Sequence, residues 1–430
     1  MKLFLTGPMV ASSADTANEG SIPSLPLRNP GQGGGYVEHP RLYSRRPQKP
    51  SPRPQVFSLH CGPGYYKNGN MMNIITNSMM QTGKTCMRKL QLAYELRFRR
   101  IRDAAPLRIG AAIHYGLDLY KKNIMEGKKN PAEGVIDAVM LKYNEYEPDE
   151  QHRREWEVER VTIAAMLSGY FWRWGERDKE IKYLETESKF EQPIVNPATG
   201  KKSRLANVAG VKDGIVDCDG VLMLLEHKTT SYDIDPESDY WKRLRIDSQV
   251  SLYVLAARQS GCDIETILYD VLRKPTIKPK RIPVLDAEGM KQVYNNETGE
   301  RELNKNGSFK QSIADKDTQY LLTRDETPDE YGKRITEDMG ERPDFYFARR
   351  EIPRLDDDLA EYQYELWQMN HIIHDCRKHN RYPRNTQACI GFGRCDYFDV
   401  CTGGYDINSG VVPDGFIRVD NIHSELEEGD

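Results

Sequence analysis

The segment Gly210–Ser231 reads GVKDGIVDCDGVLMLLEHKTTS. Its apolar runs, Gly214–Val216 and Val221–Leu225, are predicted to be neighbouring strands joined by the turn DCDG. The second run is hydrophobic without alternation, which is typical of a strand that is buried on both faces. It nevertheless continues directly into Glu226-His227-Lys228, and a second carboxylate, Asp213, precedes the first run. Charged side chains at the ends of two buried strands are candidates for a functional site.

A pair of carboxylates in this position would suit a hard divalent cation. Mg²⁺ and Mn²⁺ prefer carboxylate oxygens, and Mg²⁺ sites commonly combine one or two of them with water and a phosphate. Asp213 and Glu226 would supply these ligands if the strands bring them together. Lys228 projects to the same strand face as Glu226, where it would contact an attacking water or the charge on a phosphate. The alternative is an ion pair between Glu226 and Lys228, with Asp213 capping a turn.

Length and composition narrow the class of protein. The 430 residues suffice for one large domain with insertions or for two ordinary domains. The formal net charge of −4 does not indicate general nucleic-acid binding, so such binding would rest on local patches. Eight cysteines lack the density of a disulfide scaffold. No apolar run reaches the length of a membrane span or of a signal peptide, and we therefore expect a soluble, cytoplasmic protein.

The two ends of the chain differ from its middle. Residues 1–70 carry ten of the 24 prolines and a Gly-rich stretch without helical or strand periodicity, which predicts a disordered tail. A start at Met71 or Met72, just before the patterned region, is an alternative to such a tail. Residues 406–430 are predicted to be an acidic tail.

Residues 72–405 show an α/β pattern. Helical patterns are predicted at about 86–104, 110–125, 131–146, 153–178, 247–259, 327–339 and 355–380. Strand-like segments are predicted at about 183–195, 205–217, 221–228, 264–273 and 344–353. The polar, Gly- and Asn-punctuated residues 275–325 are predicted to be an insertion or a mobile loop.

Two further motifs flank the opening segment. Upstream, IGAAIHYGLDLY carries His114, and downstream DSQVSLY carries Gln249 and Tyr253 on one face of a predicted helix. A lone histidine on an apolar helix is more often a packed core residue than a ligand. The order of these motifs around Gly-x-x-Asp (210–213) and acid-x-Lys (226–228) resembles the RecB-like branch of the PD-(D/E)XK nuclease superfamily.

The resemblance implies a fold and a metal site. The fold would be an α/β, restriction-endonuclease-like core with a mixed central sheet flanked by helices, an N-terminal helical region and a C-terminal cysteine-rich staple. His114, Asp213 and Glu226 would hold Mg²⁺ or Mn²⁺, and the backbone carbonyl of His227 would be a further ligand. Such a cation lowers the pKa of its water and neutralises developing charge.

The resemblance also implies roles for the remaining residues. Lys228 would orient or activate the water and stabilise the pentavalent phosphate, while Gln249 and Tyr253 would position the nucleic-acid strand. The basic stretch Lys84–Arg102, on a predicted helix, would attract phosphates.

The cysteines supply a second constellation. CIGFGRCDYFDVC places Cys389, Cys395 and Cys401 at six-residue steps, and Cys86 lies about 300 residues earlier. Four thiolates suit zinc or an iron–sulfur cluster, while buried, unligated cysteines are the alternative. Several RecB-like nucleases, including the CRISPR-associated exonuclease, carry one N-terminal and three C-terminal cysteines around a [4Fe–4S] cluster. The family's triplet has a closer first pair, which leaves Cys389 the least certain ligand and keeps structural Zn²⁺ as an alternative.

The resemblance implies hydrolysis of DNA by a stand-alone, phage-type exonuclease that acts on single strands or free ends in replication, recombination or DNA degradation. A structure-specific endonuclease and a non-catalytic, metal-stapled DNA-binding scaffold are the alternatives. The sequence lacks the helicase motif G-x-x-x-x-G-K-[ST], so any unwinding would come from a separate helicase or recombinase.

Overall fold

The computed structural model describes residues 73–426, except for 102–103, 147, 392, 407–408 and 424–425. The predicted N-terminal tail, Met71 and Met72, and the last four residues of the predicted acidic tail lie outside the described residues.

Strands and helices alternate along the described chain. The strands are β1 (Asn73–Thr76), β2 (Phe98–Arg100), β3 (Lys182–Val195), β4 (Lys202–Cys218), β5 (Val221–Thr230), β6 (Thr266–Arg273), β7 (Arg281–Pro283), β8 (Val293–Asn295), β9 (Gln319–Leu321), β10 (Thr323–Asp325), β11 (Phe347–Pro353) and β12 (Phe416–Arg418). The α-helices are α1 (Asn77–Thr85), α2 (Met87–Leu90), α3 (Ala105–Met125), α4 (Val135–Tyr143), α5 (Arg153–Trp174), α6 (Asp239–Leu244), α7 (Ser248–Gln259), α8 (Pro328–Glu341), α9 (Pro343–Tyr346), α10 (Asp356–His379) and α11 (Phe398–Thr402).

The central sheet is mixed, which confirms the predicted fold class. Its strand order is β1-β4-β5-β6-β11, and β3 also pairs with β4. The β1–β4 and β5–β6 pairs are parallel, whereas β3–β4, β4–β5 and β6–β11 are antiparallel. One hydrophobic cluster joins the sheet to α1, α7 and α10, and a second one lies among α3, α4, α5 and α8. The sheet is therefore covered by helices on both faces.

The β4–β5 hairpin forms as the sequence predicts. Its turn residues Asp219 and Gly220 have φ angles of 53° and 87°, and this left-handed pair matches the twist of a two-residue hairpin. The side chain of Asp217 accepts a hydrogen bond from the Gly220 N–H at 2.8 Å. The last paired residues are Gly214 and Leu225. Asp213 and Glu226 consequently follow at the next position on neighbouring strands.

One prediction about local structure is wrong. The helix expected at about 86–104 ends early, because Arg97 has a left-handed φ of 61° and the next residues form β2, which pairs with β12. Residues 275–325, predicted to be an insertion or a mobile loop, contain β7–β10 in two antiparallel pairs outside the central sheet. No described helix combines the length and apolar character that a membrane span requires.

Candidate active site

The two predicted carboxylates lie at neighbouring positions of β4 and β5, beside His114. Asp213 Oδ2 accepts a hydrogen bond from the His227 N–H at 2.7 Å, so the aspartate is held against the backbone of the acid-x-Lys motif. Asp213 Oδ1 lies 3.8 Å from His114 Nδ1. Burial would raise the pKa of Asp213, but His114, the His227 N–H and Lys228 together hold it below its ordinary value.

His114 reaches the site from α3, which crosses close to β5. Gly110, one turn earlier, leaves room for this approach, because a Cβ atom there would lie 3.1 Å from the Thr229 hydroxyl, which is closer than ordinary van der Waals contact. The His114 ring is perpendicular to that of His227, with centroids 6.1 Å apart, and its side chain is about one-third exposed. Burial would lower the pKa of His114, but Asp213 raises it above the ordinary value.

Glu226 and Lys228 form a buried ion pair. Glu226 is 1% exposed, and its Oε1 lies 2.7 Å from Lys228 Nζ. Neither carboxylate oxygen of Glu226 has a hydrogen-bond partner with good geometry among the described residues. Burial raises the pKa of Glu226 to about 7, against the opposing effect of Lys228. For Lys228, burial acts downward, but Glu226 and Asp247 raise its pKa.

Helix α7 closes the site over Lys228. The Asp247 side chain caps this helix by accepting hydrogen bonds from the N–H groups of Gln249 and Val250, at 2.9 and 3.2 Å. Lys228 Nζ donates to Gln249 Oε1 at 2.7 Å, and Gln249 Nε2 donates to the Tyr253 hydroxyl at 2.9 Å. The predicted i, i+4 pair therefore meets the predicted lysine through a chain of hydrogen bonds.

The donor set suits a hard cation. His114 lies beside Asp213, Glu226 occupies the neighbouring strand position, and the Glu226 oxygens are buried without the hydrogen bonds that such oxygens normally accept. Side chains as placed in the described residues do not, however, form a group of three or more His, Cys, Asp or Glu that could hold a metal ion. Asp213 and Glu226 are instead each contacted by a basic side chain, His114 and Lys228.

Two acidic residues that sequence reasoning missed lie beside this set. Asp118 is one turn after His114 on α3, is 6% exposed, and its Oδ1 has no hydrogen-bond partner among the described residues. Glu187 lies opposite Asp213 in the β3–β4 pair and has a left-handed φ of 41°. Burial raises the pKa of Glu187, and Asp118 adds to the rise. The i, i+4 spacing from His114 could have identified Asp118, whereas Glu187 carries no sequence signal.

The side chain of His227 points away from this site into a buried polar network. Lys121 Nζ contacts His227 Nε2, and His227 Nδ1 lies 3.6 Å from Asp270 Oδ2. The same Asp270 oxygen accepts a hydrogen bond from the Tyr170 hydroxyl at 2.5 Å and lies 3.0 Å from the Arg349 guanidinium. Burial lowers the pKa of Lys121 to about 8. Polar and charged partners on the side of β5 that faces away from the site thus hold the side chain of His227 in place.

The four predicted staple cysteines converge on one region. The Asn385 N–H donates to Cys86 Sγ at 3.4 Å, and Cys389 Sγ contacts the Asn385 carbonyl at 3.8 Å. The Cys395 N–H donates to the Cys389 carbonyl at 2.9 Å. Burial raises the pKa of the Cys401 thiol, and Cys395 and Cys86 add to this rise.

The basic stretch at 84–102 is not one helix face. Lys84 is paired with Glu365, and Arg97, Arg99 and Arg100 donate to backbone carbonyls. These contacts serve the packing of β2 and the C-terminal segment, so the single helix predicted for this stretch is wrong, while phosphate binding by its basic residues stays a prediction.

The family assignment agrees with this geometry. A model of the PD-(D/E)XK nuclease superfamily matches residues 75–402, a span that contains every residue placed in the site above. No curated protein matches the sequence significantly.

Proposed function

Because this chain belongs to the PD-(D/E)XK nuclease superfamily, we propose that it is a metal-dependent exonuclease that hydrolyses single-stranded DNA. The observation that carries the proposal is the meeting of Asp213, Glu226 and Lys228 at neighbouring strand positions, with Gln249 bonded to the lysine. In the RecB-like branch of the superfamily, which the motif order resembles, these residue types form the hydrolytic centre.

His114, Asp213, Glu226 and the His227 carbonyl are the proposed ligands of Mg²⁺ or Mn²⁺. The cation, when bound, would acidify a water and neutralise negative charge on the phosphate. The His227 N–H orients Asp213, and the network below His227 holds the strand backbone in place. Burial of Glu226 keeps water away from the ligand oxygens, which strengthens their interaction with a cation.

Lys228 is proposed to orient or activate the attacking water and to stabilise the charge on the phosphate. Its ammonium, partnered by Glu226, stays protonated and can donate to the phosphate oxygen on which charge develops. Gln249 fixes the direction of this ammonium, and Tyr253 fixes Gln249. The proposed mechanism therefore needs both β5 and α7 in their observed contact.

The cysteine region is proposed to hold a [4Fe–4S] cluster of the kind found in RecB-like nucleases, with Zn²⁺ as the alternative. The proposal rests on the family resemblance and on the contacts of Cys86 and Cys389 with Asn385, because the described thiols as placed form no group of three or more that could hold a metal ion. The positive charges of Arg384 and Arg88 oppose the rise in the pKa of the Cys401 thiol. The cluster would join the two ends of the nuclease core without taking part in hydrolysis. Anaerobic protein with a broad absorption near 400 nm would support iron over zinc.

The function is tested with end-labelled linear and closed circular single-stranded DNA, in Mg²⁺, in Mn²⁺ and in EDTA. An exonuclease releases the label from linear DNA, spares the circle and is inactive in EDTA. Cleavage of circles or of branched DNA would favour the structure-specific endonuclease instead. Binding of DNA without cleavage under all conditions would leave the non-catalytic scaffold.

A further inference from the structure

The segment between β5 and α7 carries an aromatic and cationic surface that the proposed catalysis does not use. The rings of Tyr232 and Tyr240 lie 6.5 Å apart and are inclined by only 30°. The Arg243 guanidinium carbon lies 5.3 Å from the centroid of the Tyr232 ring and 5.7 Å from that of Tyr240. Tyr232, Tyr240 and Arg243 are called the stacking platform below.

The platform is exposed to solvent and is supported by buried side chains. Tyr232 is 63% exposed, although an aromatic ring gains from burial. Beneath it, Ile234, Trp241 and Leu244 are buried, and Trp241 Nε1 donates to the Ile234 carbonyl at 2.9 Å. The exposed ring is therefore held in place by a packed segment, as a preformed binding surface requires.

Two positively charged side chains near the platform are available to an anionic ligand. Arg243 and its neighbour Arg245 are both exposed, and neither makes an ion pair within the described residues. Two nearby acids are neutralised, Asp233 by Arg273 at 2.9 Å and Asp239 by Lys242 at 2.8 Å. Because Asp235 and Glu237 offset the two free arginines, attraction of phosphate alone would be weak. The open ring must then supply much of any affinity.

The platform adjoins the proposed catalytic residues. Tyr232 follows Lys228 by four residues, which span at most about 14 Å in an extended chain. Burial raises the pKa of Tyr240 to about 12, and the charge of Lys228 opposes this rise. Ile246, 76% exposed, lies just before Asp247, the cap of the helix that carries Gln249. A strand whose phosphate reaches Lys228 would therefore have its neighbouring nucleotides within reach of Tyr232.

We propose that Tyr232 and Arg243 stack an unpaired nucleobase of the substrate next to the scissile phosphate, with Ile246 as an apolar neighbour. The inference rests on the proposed function and adds how the unpaired strand is recognised: through base faces and not only through phosphates. Base faces stack on aromatic rings and arginine planes regardless of sequence. In a duplex the same faces are already stacked on their neighbours, so the platform selects single strands.

The test is equilibrium binding in EDTA, where the proposed cleavage is off. The probes are fluorescein-labelled oligothymidylate, an abasic oligonucleotide of equal length, and a duplex. Tyr232→Ala should weaken oligothymidylate binding about five- to a hundredfold and leave abasic binding unchanged. Tyr232→Phe should bind as wild type does, and Arg243→Ala should weaken both single-stranded probes. Trp172→Ala is the control, since Trp172 is 64% exposed on α5, which packs on the other face of the sheet.

Equal loss on the abasic probe, or no loss on oligothymidylate, would overturn the proposal, as would tighter binding of duplex than of single strand by the wild type. These outcomes are separable from failure of the proposed function. A protein that cleaves no DNA but binds bases through Tyr232 would refute the nuclease and keep the platform, and an active nuclease that is indifferent to Tyr232→Ala would do the reverse.

Discussion

The ammonium of Lys228 donates a hydrogen bond to the side-chain oxygen of Gln249 at 2.7 Å, and this bond joins the end of β5 to the first turn of α7. Gln249→Ala should therefore lower kcat on single-stranded DNA by about ten- to a hundredfold with a smaller change in KM, because the lysine loses its direction but not its charge. Tyr253→Phe, which removes only the hydroxyl that accepts from Gln249, should cost less. Steady-state kinetics of both variants check the order, and a larger loss for Tyr253→Phe would contradict it.

Replacement of the central charged residues should abolish cleavage. Asp213→Asn and Lys228→Met should each reduce turnover by about 10³-fold or more, since one variant removes a proposed metal ligand and the other the proposed charge stabiliser. The measurement is release of label from linear DNA in Mg²⁺. Asp217→Asn, at the hairpin turn of the same strand, is the matched control and should keep wild-type turnover. Near wild-type activity of both site variants would refute the assignment.

Metal affinity should depend on pH through Glu226. Its pKa of about 7 means that this carboxyl holds a proton below neutrality, and a cation must displace the proton to bind. The apparent Mn²⁺ affinity should accordingly fall about tenfold for each pH unit below 7, and more steeply where His114, whose pKa is also raised, is protonated as well. Calorimetric titration with Mn²⁺ at pH 5.5, 6.5 and 7.5 tests this dependence. An affinity that is constant over this range would exclude Glu226 as a ligand.

Lys121 should make the protein more stable at alkaline pH. The unfolded chain holds its proton up to about pH 10.4, but the folded protein releases it near pH 8. Between these values the unfolded state binds more protons, so the free energy of unfolding rises with pH, here on the order of 1–3 kcal/mol. Urea denaturation at pH 8 and pH 9.5 should show the rise in wild type and its loss in Lys121→Met. Lys122→Met, which removes an exposed lysine paired with Asp118 at 2.6 Å, should keep it.

The cysteine region should control folding rather than chemistry. Joining Cys86 to Cys401 closes a loop of about 300 residues, and cross-links over long loops restrict the unfolded chain by a few kcal/mol. Cys401→Ser should therefore lose both visible absorption and soluble yield under anaerobic purification. Cys218→Ser, at a partly exposed cysteine of the hairpin, should lose neither. Colourless, metal-free and fully active wild-type protein would refute the staple.

Local features of the fold were predictable because their causes are local. The β4–β5 hairpin follows from an Asp-Gly turn between apolar runs, and the Gln249–Tyr253 contact follows from helical spacing. The place of Glu187 opposite Asp213 was not predicted. Glu187 itself has a left-handed φ within β3, and a glutamate in a strand pattern gives no sign of that conformation. Likewise, β2 was mistaken for helix because its partner, β12, lies more than 300 residues away.

The β4–β5 hairpin has a consequence for the order of assembly. Asp213 and Glu226 are only thirteen residues apart, so one tight turn fixes their relative position, and hairpins of this size close in about 1–10 μs. His114 and Gln249 must arrive from elsewhere in the chain, over longer loops that close later. During refolding Asp213, Glu226 and Lys228 should thus come together before His114, the Lys228–Gln249 bond or helix α7 is in place. A divalent cation added at that stage would meet a two-carboxylate intermediate and would influence the folding rate, not only the stability of the finished protein.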